Sequence, residues 1–93
     1  MTKVLVKANV AYPGELLSVL EGFDRKPFGE LSFAFDQDED IHNHVYIIFN
    51  WLSLARAKEF WTSQAAKSHV EAWHSVSQPE FVYLRTIPGE APA

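Results

Sequence analysis

Six side chains in this sequence have the types and the spacing to build a small-molecule site: Lys7, Asn9, His44, Tyr46, Tyr83 and Arg85. They fall in three pairs two residues apart, and on an extended backbone residues two apart share a face. Imidazole is the natural proton acceptor near neutral pH, so His44 is the candidate base. Tyr46 beside it can hydrogen-bond a phenolate or carbonyl oxygen, making His44 and Tyr46 the candidate catalytic pair. Lys7 and Arg85 can hold an anionic group, and with Asn9 and Tyr83 they form the candidate substrate-binding set. The chemistry implied is binding, and proton removal from, an organic acid or a phenol. The competing reading has Lys7 and Arg85 reaching water or pairing with carboxylates. No Ser-His-Asp order, Gly-rich phosphate loop or flavin motif accompanies the six.

A second constellation is weaker. His42 and His44 are two apart, a spacing that suits metal ligands, and Asp36, Asp38, Glu39 and Asp40 lie nearby. The acidic run has no Gly-containing calcium-loop signature. It reads better as a solvated hairpin, so no metal is assigned, and no cofactor follows from these residues.

The elements that must position these groups can be read from periodicity. Lys3 to Val10 is a strand, with Val4, Val6, Ala8 and Val10 on one face and Lys3, Leu5, Lys7 and Asn9 on the other. Tyr12-Pro13-Gly14 starts a short helix over Pro13 to Glu21, with Pro suited to its first turn and Gly22 as its stop. Asp24 to Pro27 is a polar connection. Glu30 to Asp36 is a second strand with Leu31, Phe33 and Phe35 on one face. Val45 to Trp51 is apolar without a break as far as Phe49, the signature of a strand covered on both faces at the centre of a sheet. Ser53 caps a helix whose buried stripe is Leu54, Ala57, Phe60 and Trp61. The helical signal weakens at Thr62 to Gln64 and resumes with Ala66, Val70 and Trp73, so a kink or two consecutive helices is expected. Phe81 to Ile87 is the last strand.

The order β-α-β-β-α-β is the split-βαβ, ferredoxin-like α+β pattern, a four-stranded antiparallel sheet with its helices on one face and its first and third strands central. Residues 1–88 are expected to be one domain and residues 89–93 a flexible tail. The face away from the helices would carry Leu5, Lys7, Asn9, Ser32, Ala34, His44, Tyr46, Ile48, Tyr83 and Arg85. That mixture is too apolar for a bare solvated sheet. A second copy packed across it would cover the apolar groups and enclose the polar ones, so a homodimer is expected.

Composition sets further bounds. The chain has 93 residues with 47% hydrophobic and 22% charged, a globular balance and one domain's worth. Seven Phe, three Trp and three Tyr favour a partner interface or an aromatic-lined pocket. A net charge of −4 argues against a nucleic-acid groove. Without Cys there is no disulfide, thiolate nucleophile or thiolate metal site. Lys3 and Lys7 interrupt any signal-peptide core, and no stretch approaches the ~20 apolar residues of a membrane span. The expectation is a cytoplasmic protein with no membrane partner.

Three segments resemble a known family: Lys-Val-Leu-Val-Lys at the start, Ile-Ile-Phe-Asn-Trp-Leu-Ser-Leu-Ala-Arg-Ala-Lys-Glu-Phe in the middle, and Pro-Glu-Phe-Val-Tyr-Leu-Arg near the end. Over Lys3 to Ile87 the layout is similar to short members of the dimeric α+β barrel superfamily, the group that includes antibiotic-biosynthesis-monooxygenase-like domains. The resemblance implies two ferredoxin-like protomers packed sheet against sheet, with small molecules bound inside. It further implies a cofactor-independent monooxygenase- or isomerase-like enzyme acting on an aromatic or polyketide-like compound. The alternative is a binding or structural dimer without catalysis. A haem-degrading variant is implied by Asn9, Trp61 and His69, which match the residue types such members use, although the simpler reading has Trp61 in the core and His69 on a helix surface. The chain departs from close-looking members where they carry a His in the first strand and Asp-Tyr-x-x-Trp at the first helix. Here Ala8 and Ala11-Tyr12-Pro13-Gly14 stand instead.

Overall fold

The computed structural model describes residues 2–85 and Ile87; the expected tail, residues 89–93, lies outside them. Four strands, β1 (Thr2–Asn9), β2 (Glu30–Gln37), β3 (His44–Trp51) and β4 (Glu80–Arg85), form one antiparallel sheet in the order β2-β3-β1-β4. The apolar run of β3 is therefore at the centre, beside β1. Among the described residues three helices, α1 (Pro13–Glu21), α2 (Leu54–Trp61) and α3 (Gln64–Glu71), cover one face, and a 3-10 turn, Lys26–Phe28, leads into β2.

Alternation on the central strands divides the sheet into two faces. Val4, Val6, Val45, Ile47, Phe49 and Trp51 are fully buried beneath Leu16 and Leu20 of α1, Ala57, Phe60 and Trp61 of α2, Ala66 of α3 and Trp73 in the turn that follows it. The break between α2 and α3 is a second cap. Ser53 Oγ accepts from the Arg56 N–H at the start of α2, and Ser63 Oγ accepts from the Ala66 N–H at the start of α3. Each hydroxyl satisfies a backbone donor that the first helical turn leaves unpaired.

Three expectations about the elements are corrected. Leu31 is exposed, because a bulge between Glu30 and Ser32 breaks the alternation of β2 and turns Glu30 inward instead. Leu54 is also exposed, so the buried stripe of α2 begins at Ala57. Val10 lies beyond β1 in an isolated bridge to Ser75.

Candidate functional site

The face of the sheet away from the helices is organised in rows, because residues opposite one another on paired strands project to the same side. Asp36, Tyr46, Lys7 and Glu80 are consecutive register partners across all four strands. The next row is Ala34, Ile48, Leu5 and Val82, apolar from edge to edge. On the other side of the first row, Asn9 faces His44. A polar end and an apolar bar thus lie side by side on one open surface.

At the polar end these rows border a cleft of about 330 Å³ lined by Lys7, Asn9, His44, Tyr46, Gln78 and Glu80, among others. Four of the six candidate residues are therefore brought together. Sequence reasoning missed the Ser77–Glu80 side of the cleft, which belongs to the approach to β4. It also missed the link from Asp38 of the β2–β3 hairpin to Tyr46, having placed Asp38 only in a solvated acidic run. Asp38 Oδ1 accepts from the backbone N–H groups of Asp40 at 2.8 Å and Ile41 at 2.9 Å. Its second oxygen, Oδ2, accepts from the Tyr46 hydroxyl at 3.3 Å. The hydrogen bonds from Ile41 and Asp40 hold the Asp38 carboxyl below its ordinary range. Burial, and then Asp38 itself, push the Tyr46 phenol up. Tyr46 thus borders the cleft as a phenol whose hydroxyl is hydrogen-bonded to Asp38. The available sequence signal was an Asp two and three residues before the backbone groups it bonds.

Tyr83 and Arg85 are corrected. Tyr83 is the register partner of Val4 and Arg85 of Thr2, so both project from the helix-covered side of the sheet rather than the open one. Tyr83 lies under the ammonium of Lys58 from α2, 5.5 Å from its ring centroid, and burial raises its hydroxyl pKa. With Arg85 and Lys58 it lines a separate edge groove. Val82 and Leu84 take the open-face positions.

His42 is engaged within the hairpin: Gln37 Nε2 donates to the His42 carbonyl at 2.7 Å and lies 3.0 Å from its Nδ1. His69 differs more sharply from its sequence reading. It is buried, not on a helix surface, and stacks on Phe23 with ring centroids 4.4 Å apart. Arg25, read as part of a polar connection, is 1% exposed. Its Nε donates to Glu30 at 2.9 Å, and its Nη1 lies 2.9 Å from the Leu20 carbonyl and 3.1 Å from His69 Nε2. Since guanidinium has no acceptor, His69 Nε2 must accept, which fixes the neutral Nδ1–H tautomer. Burial first, and Arg25 second, lower the His69 pKa to about 4. The trio Asn9, Trp61 and His69 does not converge. Asn9 opens onto the uncovered face, whereas Trp61 and His69 pack in the helix layer, with His69 Nε2 already engaged.

Compared by sequence, the chain matches no protein-family model and no curated protein. Compared by structure, it is similar over nearly its whole length to several solved proteins. A putative antibiotic biosynthesis monooxygenase from Bordetella bronchiseptica superposes with a TM-score of 0.76 at 9% identity, over 94% of this chain and 97% of that one. The chain has the fold of the antibiotic biosynthesis monooxygenases. The ActVA-Orf6 monooxygenase of Streptomyces coelicolor, solved in complex with nanaomycin D, gives a TM-score of 0.73 at 15% identity, over 99% of this chain and 92% of that one. SnoaB, a cofactor-independent oxygenase from Streptomyces nogalater, gives 0.68 at 18% identity, over 99% and 96%. The resemblance read from the sequence holds at the level of the fold.

Proposed function

We propose that this chain is a cofactor-independent enzyme of the monooxygenase or isomerase type, acting on an aromatic or polyketide-like compound at the open face of its sheet. The observation that carries this reading is the adjacency of the polar cleft, with Lys7, Asn9, His44 and Tyr46, to the apolar bar of Ala34, Ile48, Leu5 and Val82. A flat aromatic molecule has one polar edge and an apolar body, and this surface offers a place for each. A second copy of the chain laid across the same face would cover the bar and close the cleft from water, as a solvated sheet face with this much apolar area calls for. The cofactor-independent oxygenase among the similar structures supports the choice of chemistry.

In this reading His44 accepts the proton of a quinol hydroxyl. The electron-rich ring then reacts with dioxygen: one oxygen atom enters the ring and the other leaves as water, with the quinol as the reductant. Lys7 steadies the oxyanion that His44 creates. The test is oxygen uptake with a panel of quinols. The wild-type protein should consume oxygen faster than the spontaneous reaction, and His44→Ala should lose about 10²-fold or more of that enhancement. Tight quinol binding with no oxygen uptake would reassign the chain as a binding module.

A further inference from the structure

The cleft has a hydrogen-bonding polarity, and Asp38 sets it. The Oδ1 atom of Asp38 receives two backbone N–H groups, from Asp40 and Ile41, so the carboxylate cannot rotate without losing both. That leaves Oδ2 aimed at Tyr46, 3.3 Å from its hydroxyl. A carboxylate has no proton to give, so the phenol must donate to it. A phenol has one proton. Once that proton points to the hairpin, the side of Tyr46 Oη that borders the cleft presents lone pairs alone. Asp38 itself does not line the cleft; it acts through Tyr46.

We propose that Asp38 is a positioning residue that turns Tyr46 into a hydrogen-bond acceptor, so that the cleft selects compounds presenting a protonated phenol or enol hydroxyl over those offering only a carbonyl or ether oxygen. This rests on the cleft being the ligand site, as proposed above, and it deepens that reading by naming the substrate group that is recognised. It also assigns Tyr46 a role opposite to the one its type suggested, which was to donate to a phenolate or carbonyl oxygen.

The geometry provides a reversal experiment. In Asp38→Asn the atom held by the two backbone N–H groups must still be an acceptor, so it is the amide oxygen. The amide nitrogen then takes the position of Oδ2 and donates to Tyr46, and the Tyr46 proton swings toward the cleft. Asn is as well suited as Asp to this turn, so the hairpin is retained. The probes are 2-naphthol, which keeps its proton at neutral pH, and 2-methoxynaphthalene, which has none to donate. Wild type should bind 2-naphthol about fivefold more tightly than the ether, the worth of one neutral hydrogen bond. Asp38→Asn should lower the ratio and bind the ether more tightly than wild type does. Tyr46→Phe should also lower the ratio, but without that gain for the ether. Equal ratios in wild type and Asp38→Asn would overturn the polarity proposal while leaving the cleft as the ligand site. Failure of wild type to bind either probe would overturn the cleft and the proposal together.

Discussion

Among individual residues, His69 has the most consequential environment. It is neutral, buried against Phe23, and accepts from the guanidinium of Arg25, which is itself paired with Glu30. Its folded pKa of about 4 lies below the ordinary 6.5, so between these values the unfolded chain binds a proton that the folded chain refuses. Unfolding is thereby favoured by acid, and stability should fall as pH drops from 6.5 toward 4, by a total of about 3 kcal/mol at most. His69→Gln keeps an acceptor for Arg25 without a titrating group. Urea denaturation at pH 7 and pH 4.5 should show a smaller loss in this variant than in wild type, and equal losses would remove His69 as the cause. The position was legible in part, since His69 lies three residues after Ala66 on the same apolar stripe as Val70 and Trp73. Its partner Arg25 was not, because 44 residues of chain separate them and no local pattern joins the two.

At the scale of elements, the turn between α1 and β2 has the most specific requirement. Gly29 has φ +120°, a backbone conformation that side chains resist, and a Cβ there would lie 3.3 Å from the Arg56 Cβ and 3.4 Å from the Trp51 ring. Arg56 also braces the turn, donating to the Phe28 and Pro27 carbonyls. Gly29→Ala should cost about 1–3 kcal/mol of stability, measured by thermal or urea denaturation. The elements themselves were largely written in the sequence. The unbroken Val45–Phe49 run marked a central strand, Ser53 marked a helix start, and the weak stretch at Thr62–Gln64 marked a kink or a break that the structure resolves as a second cap at Ser63. The parity of β4 was not written there. Phe81 and Tyr83 alternate with Val82 and Leu84, so either face could have been the buried one, and only pairing with β1 decides it. The same lack of contrast misplaced Tyr83 and Arg85, while Lys7, Asn9, His44 and Tyr46 fall on one face and border one cleft because the opposite faces of β1 and β3 are strongly apolar. Asp38 was read only as one carboxylate of an acidic hairpin, because Asp36, Asp38 and Asp40 all stand in positions where an Asp could cap a turn and the sequence does not say which one is tied down.

At the scale of the whole molecule, the open sheet face is what remains to be covered. If a second copy covers it, a charge in the apolar bar should prevent association without touching the helix-side core. Ile48→Asp should sediment as a monomer where wild type sediments as a dimer, with far-ultraviolet circular dichroism unchanged; a monomeric wild type would remove the self-association reading. The aromatic surplus, by contrast, goes chiefly to the opposite side. Trp61 sits 6.3 Å from Trp51 and 6.1 Å from Trp73, ring centre to ring centre, edge-on to both, and all three are buried. Indoles this close exchange excitation faster than they emit it. Light absorbed by one is therefore shared among the three, and the ultraviolet signature of this chain belongs to a packed trio that exists only while α2, α3 and β3 are held together.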